Sequence, residues 1–133
     1  MFKDVYIQRV DYSNEEPTQL LANAATPLRY KHVFQDDLLT KIANAHTTDE
    51  TGREIYQIDF IGELAFVMAM QADALSDKTI KLEKLNYEKY MDWLEQYDGM
   101  AFENAAEEIL NVYVGNSVSE SESKKNTDGQ SES

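Results

Sequence analysis

Residues 59–73 read D-F-I-G-E-L-A-F-V-M-A-M-Q-A-D. Phe60, Ile61, Leu64, Ala65, Met68 and Ala72 recur at helical spacing and form one stripe. Phe66, Val67 and Met70 thicken it to nearly the whole circumference. A helix lying on a surface keeps a polar face, so one that is apolar almost all round belongs at the centre of a fold. The uninterrupted apolar run, residues 64–70, lies between Glu63 and Gln71. A bilayer span needs roughly 20 such residues, so the stretch predicts a buried core helix and not a membrane helix.

Around that centre the sequence places amphipathic helices. Thr26 stands where a cap is needed and Pro27 suits the first helical position. Tyr30, Val33, Phe34, Leu38, Ile42 and Ala45 then form a stripe, on one helix or on two with a bend, Asp36 capping a second helix that begins at Asp37. Arg29, Lys31 and Asp37 are expected to stay wet. The polar run 46–52 (H-T-T-D-E-T-G) breaks the pattern. Asn86 is placed to cap a further helix with Tyr87, Tyr90, Met91, Leu94 and Tyr97 inward and Glu88, Asp92 and Glu95 outward. Asp98-Gly99 ends it. A last helix turns Phe102, Ala105, Ala106, Ile109 and Tyr113 inward and Glu103, Glu107 and Glu108 outward, with Gly115 placed to stop it.

At the N-terminus, residues 5–10 (V-Y-I-Q-R-V) are β-prone, residues 11–17 read as a turn or loop, and residues 18–25 read as a second strand or a helical entry. The predicted fold is mainly α: a bundle of four to five helices over residues 1–115, with room for a small β-hairpin within residues 1–25. Residues 116–133 (N-S-V-S-E-S-E-S-K-K-N-T-D-G-Q-S-E-S) offer almost nothing apolar to bury and are expected to be a disordered polar tail.

The chain has 133 residues and a formal net charge of -13, from 25 acidic and 12 basic side chains. That balance argues against direct binding of nucleic acid or an anionic membrane, which need clustered Lys and Arg. It favours solubility or a basic protein partner. There are no cysteines, which removes disulfides, thiolate metal sites and cysteine nucleophiles. The first ten residues (M-F-K-D-V-Y-I-Q-R-V) carry charge where a signal peptide is apolar, so a cytoplasmic protein is expected.

Signals for chemistry are weak. His32 and Asp36 are four apart and share a helix face if the helix is continuous; Asp37 or His46 would complete a metal site. A surface histidine pairing loosely with a carboxylate is the commoner outcome of that spacing, and no metal site is predicted. The five glycines stand apart at 52, 62, 99, 115 and 129, so no phosphate loop is formed, and no G-x-S-x-G elbow occurs. Neither catalysis nor a cofactor is expected. Aromatic residues are the richer resource: eight Tyr, five Phe and one Trp. Trp93 lies off the Tyr90–Leu94–Tyr97 stripe, which makes it either an exposed binding anchor or a residue packed between helices.

Three segments together resemble the tail assembly chaperones of long-tailed bacteriophages, particularly those infecting Gram-positive bacteria. They are A-A-T-P-L-R-Y-K-H-V-F-Q-D-D-L-L (residues 24–39), E-L-A-F-V-M-A-M-Q-A-D (63–73) and M-D-W-L-E-Q-Y-D (91–98). Order and spacing agree from residue 24 to about 115, whereas residues 14–16 and 116–133 show no match. The resemblance implies a non-enzymatic protein of the bacterial host cytoplasm that binds the tape measure protein, keeps it soluble and helps recruit tail tube subunits. It also implies absence from the finished virion. In many members a ribosomal frameshift near the end of the gene gives a longer form that binds the tail tube protein; Lys124-Lys125-Asn126 suits a slippery adenine run. A homo-oligomer is compatible with this reading. The helical pattern nominates Phe66, Met70, Trp93 and Tyr97 as the partner-binding residues. The competing reading is an acidic inhibitor that mimics DNA and occupies a nucleic-acid-binding host enzyme, which requires the carboxylates to line one surface.

Overall fold

A computed structural model describes residues 2–11, 16–45, 47–48, 50–55 and 58–115. In chain order the elements are β1 (Phe2–Val5), β2 (Thr18–Leu21), α1 (Thr26–Phe34), α2 (Leu38–Ala45), β3 (Thr47–Thr48), β4 (Glu54–Ile55) and α3 (Ile58–Asp73). A 3-10 turn (Leu82–Lys84) leads into α4 (Tyr87–Leu94) and α5 (Ala101–Asn104). The helix resumes as α6 over 106–115. The body is mainly helical with two small antiparallel ribbons, as expected for the first ribbon and unforeseen for the second.

The centre is α3. Phe60, Ile61, Leu64, Ala65, Phe66, Val67, Met68, Ala69 and Ala72 are all buried, and α3 packs against β2, α1, α4 and α5. Full burial of each large apolar side chain contributes about 1.5–3 kcal/mol, so this one helix carries much of the stabilising burial. Gly62 lets α4 approach it. A Cβ there would meet Tyr90 Oη at 2.9 Å, and Tyr90 is itself held among other rings.

The hairpin forms, but in a different register from the β-prone stretch. Phe2 pairs with Leu21 and Val5 with Thr18, which turns Val5 and Leu20 onto the core. Residues 8–10 leave the hairpin and pair with the turn after α4: Val10 N–H donates to Gln96 C=O (3.0 Å) and Asp98 N–H to Gln8 C=O (2.8 Å). The β-prone stretch thus serves two partners in turn. Residues 12–15 and 116–133, including the predicted tail, lie outside the described residues.

Two expectations about helix starts and stops change. Thr26 is the first helical residue, preceded by Ala25, and caps nothing. Its hydroxyl is buried, where it accepts from Asn23 N–H (3.0 Å) and the Gln71 amide (2.9 Å). The stripe Tyr30–Ala45 is split into two helices by Gln35, whose φ of 59° is left-handed and ends α1. Asp37, not Asp36, caps α2, accepting from Thr40 N–H (3.2 Å) and its hydroxyl (2.5 Å). The capping proposed for Asn86 holds: its side chain accepts from Lys89 N–H at 2.9 Å.

The polar residue that lets α3 be enclosed is Gln71. Its amide donates to Leu21 C=O (2.6 Å) and Thr26 Oγ1, and its carbonyl accepts from Arg29 Nη1 (2.8 Å). One side chain joins the end of β2, the start of α1 and the last turn of α3. Replacing it by leucine removes partners from a backbone carbonyl, a buried hydroxyl and a guanidinium. Gln71→Leu is expected to lower unfolding free energy by about 1–3 kcal/mol in urea denaturation. Gly62→Ala is expected to cost a comparable amount, about 1–3 kcal/mol, by overpacking against Tyr90, read in the same way.

Candidate functional site

The four residues nominated for partner contact do not form an exposed patch. Phe66, Trp93 and Tyr97 are buried, with Trp93 only 8% exposed, and Met70 is half-buried against the core. Three of them are brought together. Phe66 and Trp93 have ring centroids 5.5 Å apart, and Trp93 and Tyr97 4.8 Å. Phe102 closes the group at 5.7 Å from Trp93 and 5.4 Å from Tyr97, and Phe34 and Tyr90 extend it along α3. These tilted and edge contacts are core packing, each worth about 0.5–1.5 kcal/mol beyond burial. Met70 takes no part in the ring group.

The reason lies in how α4 is turned. The predicted inward stripe was Tyr87, Tyr90, Met91, Leu94 and Tyr97; the buried set is Tyr90, Trp93 and Tyr97, with Leu94 half-buried. Tyr87 (59% exposed) and Met91 face outward. Tyr97 is anchored from three directions. Its hydroxyl shares a hydrogen bond with Thr18 Oγ1 (3.1 Å), Arg9 lies over its ring at 4.9 Å, and Arg9 forms a bridge with its backbone. It clamps the N-terminal segment to α4.

The pairing imagined for His32 and Asp36 does not occur, because α1 ends between them. His32 Nε2 bonds the Glu83 carbonyl at 3.1 Å, and a carbonyl only accepts, so Nε2 carries the proton. Asp36 pairs instead with Lys41 at 3.2 Å, and that contact holds its carboxyl below the ordinary range. Asp37 is likewise depressed, first by its bonds to Thr40. Among the described residues, no three His, Asp or Glu side chains gather as a metal site; His46 lies outside those residues. No helix among them is long and apolar enough to cross a membrane.

A buried titratable contact joins Tyr30 to Glu63. Tyr30 is fully buried and its hydroxyl donates to Glu63 Oε1 at 2.5 Å. Burial first, then the bond to Glu63 and its negative charge, push the phenol far above its usual range. A proton donor works best with a pKa near the operating pH, so this phenol is suited to holding α1 on α3 and not to proton transfer.

What the surface does offer is a groove of about 350 Å³ between α1 and the 3-10 turn, lined by Ala25, Leu28, Arg29, His32, Leu82 and Glu83. Leu28 is 73% exposed, on the side of α1 away from Tyr30 and Val33. The sequence reading passed over it. The signal was present: a leucine on the wet side of an otherwise regular stripe breaks the binary pattern. A smaller hollow of about 210 Å³ lies beside Gly62, between the end of α4 and Phe102. No family model, curated protein or solved structure matches this chain.

The Tyr30 contact gives a pH dependence with a fixed sign. The folded phenol keeps its proton at a pH where the unfolded one, near its ordinary value of about 10, releases it. Stability from this group is therefore fully present below about pH 10 and is lost as pH rises beyond it. In alkaline unfolding followed by circular dichroism, Tyr30→Phe is expected to flatten this limb of the profile.

Proposed function

We propose that this chain is a tail assembly chaperone of a long-tailed bacteriophage. In this reading it works in the host cytoplasm, holds the tape measure protein soluble until tail tube subunits enclose it, and is left out of the mature virion. It binds and releases without hydrolysing a nucleotide. Recruitment of the tail tube protein belongs to a longer, frameshifted product, and the lysine pair that suggests one, Lys124-Lys125, lies outside the described residues.

The observation that carries the reading is where the three resembling segments meet. Phe34 from the first, Phe66 from the second and Trp93 from the third belong to one ring cluster: Phe34 and Phe66 are 6.4 Å apart, Phe66 and Trp93 5.5 Å. The resemblance therefore runs through residues that build the body. Short surface motifs met by chance have no reason to converge in this way.

Physical logic supports the same activity. A long helical chain with apolar stripes aggregates before its tube covers it. Holding it needs a soluble body with a limited apolar surface and a reversible grip. The net charge of -13 supplies colloidal stability. Since Phe66, Trp93 and Tyr97 are enclosed, the grip falls to apolar residues that do face outward, among them Leu28, Tyr87 and Met91. The DNA-mimic reading fits less well. It needs a continuous acidic surface, while α1 contains Arg29, Lys31 and His32 and no acidic residue at all.

Coexpression with a tape measure protein tests the proposal. The expected result is that the tape measure moves into the soluble fraction and copurifies with this chain, in the absence of nucleotide. A tape measure that stays insoluble with the chaperone gene taken from beside it in the same genome would overturn the assignment.

A further inference from the structure

We infer that the groove between α1 and the 3-10 turn is a docking site for an acidic amphipathic helix of another polypeptide, which inserts an apolar side chain beside Leu28 while its carboxylates meet the surrounding cations. The inference deepens the chaperone reading by naming the face and the chemistry of the partner segment, and it rests on that reading only for the partner's identity.

Charge is the first argument. Residues 26–34 and 78–84 hold five of the chain's 12 cations, Arg29, Lys31, Lys78, Lys81 and Lys84, and one of its 25 anions, Glu83. The four lysines are exposed. The two segments meet at the groove, where His32 bonds the Glu83 backbone and the Lys81 and Lys84 positions flank Leu82 and Glu83. Of the acids nearest in sequence, Asp36 is paired with Lys41, while Asp37 and Asp77 keep their charge on the outer ends of the two segments, held by Thr40 and Thr79. On a strongly acidic protein this is a local basic island.

Apolar surface at the same place is the second argument. Leu28 projects into solvent with Ala25 and Leu82 beside it. The volume suits one or two inserted side chains. Such a centre ringed by charge has the anatomy of an anchor pocket with a polar rim.

The walls select the form of the occupant. They are helical elements whose backbone groups bond within the helix and the turn, so they offer no strand edge for an extended peptide. Recognition must run through side chains, which is the helix-in-groove mode. A nucleic acid would meet the same cations but gains nothing from Leu28, and the remaining charge of the protein repels it. An acidic helix satisfies both the apolar and the charged requirement.

The test uses the full chain and three fluorescent probes: a helical peptide with a leucine stripe flanked by glutamates, its lysine-flanked twin, and a single-stranded oligonucleotide. Anisotropy is expected to show the glutamate peptide binding about tenfold or more tighter than the lysine twin. Leu28→Ser and the double variant Lys81→Glu/Lys84→Glu should each weaken it about tenfold. Leu39→Ser, on the exposed side of α2, should leave it unchanged. All four positions are exposed, and an unaltered thermal melt confirms that each variant is folded. Equal or tighter binding of the lysine twin, preference for the oligonucleotide, or indifference to Leu28→Ser overturns the inference. Tape-measure coexpression separates it from the functional reading. If wild type and both groove variants solubilise the tape measure equally, the groove inference falls and the chaperone reading stands. If wild type does not solubilise it while the peptide pattern holds, the reverse follows.

Discussion

Enclosing a helix on nearly every side creates a problem at its polar positions, and here the problem is concentrated in Gln71. The residue is 2% exposed, on the last turn of α3, where the core must end and the chain must leave. A primary amide in that position is tolerable only if its donors and acceptor are met. Both are, and the partners come from elements distant in sequence: Leu21 at the end of the hairpin, Thr26 and Arg29 at the start of α1. Apolar packing alone is non-directional and would allow α1 and the hairpin to slide on α3. The hydrogen bonds fix where they sit. The segment following β2 can then turn directly into α1, because the hydroxyl that might have capped the helix is committed to the interior.

The second organising contact is the ring cluster, which joins α3 to α1, α4 and α5. Phe34, Phe66, Tyr90, Trp93, Tyr97 and Phe102 come from four helices and the turn after α4, and each touches at least one other at favourable tilt. Tyr97 extends the cluster into the N-terminal segment through Thr18 and Arg9. Aromatic abundance in this sequence is therefore explained mainly by structure. A small domain gains little burial per residue, and wide rings enlarge what each position contributes.

How much of this could be read from the sequence differs by element. The buried central helix, the Asn86 cap and the inward set Phe102, Ala105, Ala106 and Ile109 follow from local pattern, and the structure agrees with them. Failures occur where two local readings were nearly degenerate. Tyr90, Met91, Leu94 and Tyr97 make a good stripe, and so do Tyr90, Trp93 and Tyr97; a small rotation of α4 separates them. Only the contact with Phe66 and Phe102 decides, and that is tertiary. Thr26 and Asp37 show the same effect for caps. Each is a residue type that caps well, but Gln71 claims the first hydroxyl and the left-handed turn at Gln35 hands the second role to Asp37. The short ribbon of β3 and β4 had no sequence signal beyond a polar run and a glycine. Phe66, Trp93 and Tyr97 are enclosed for a related reason: a small core needs bulky side chains that local pattern alone marks as surplus.

Seen from outside, the same economy leaves a clear division of surface. With the ring cluster inside, two of the exposed apolar sites are framed by charge along the chain: Leu28 by Arg29, Lys31 and His32, and Tyr87 and Met91 mainly by Glu88, Asp92 and Glu95. A protein holding an aggregation-prone chain must bind without itself aggregating. Isolated apolar points within strongly charged surroundings meet that demand. The sign of the surrounding charge then governs which segments are admitted. The basic frame around Leu28 and the acidic frame around Tyr87 and Met91 give one small body two surfaces of opposite preference. A long partner with alternating charge along its helices can be met at both. Under the proposed chaperone role, each contact stays weak and salt-sensitive, which suits a complex that yields when tube subunits arrive.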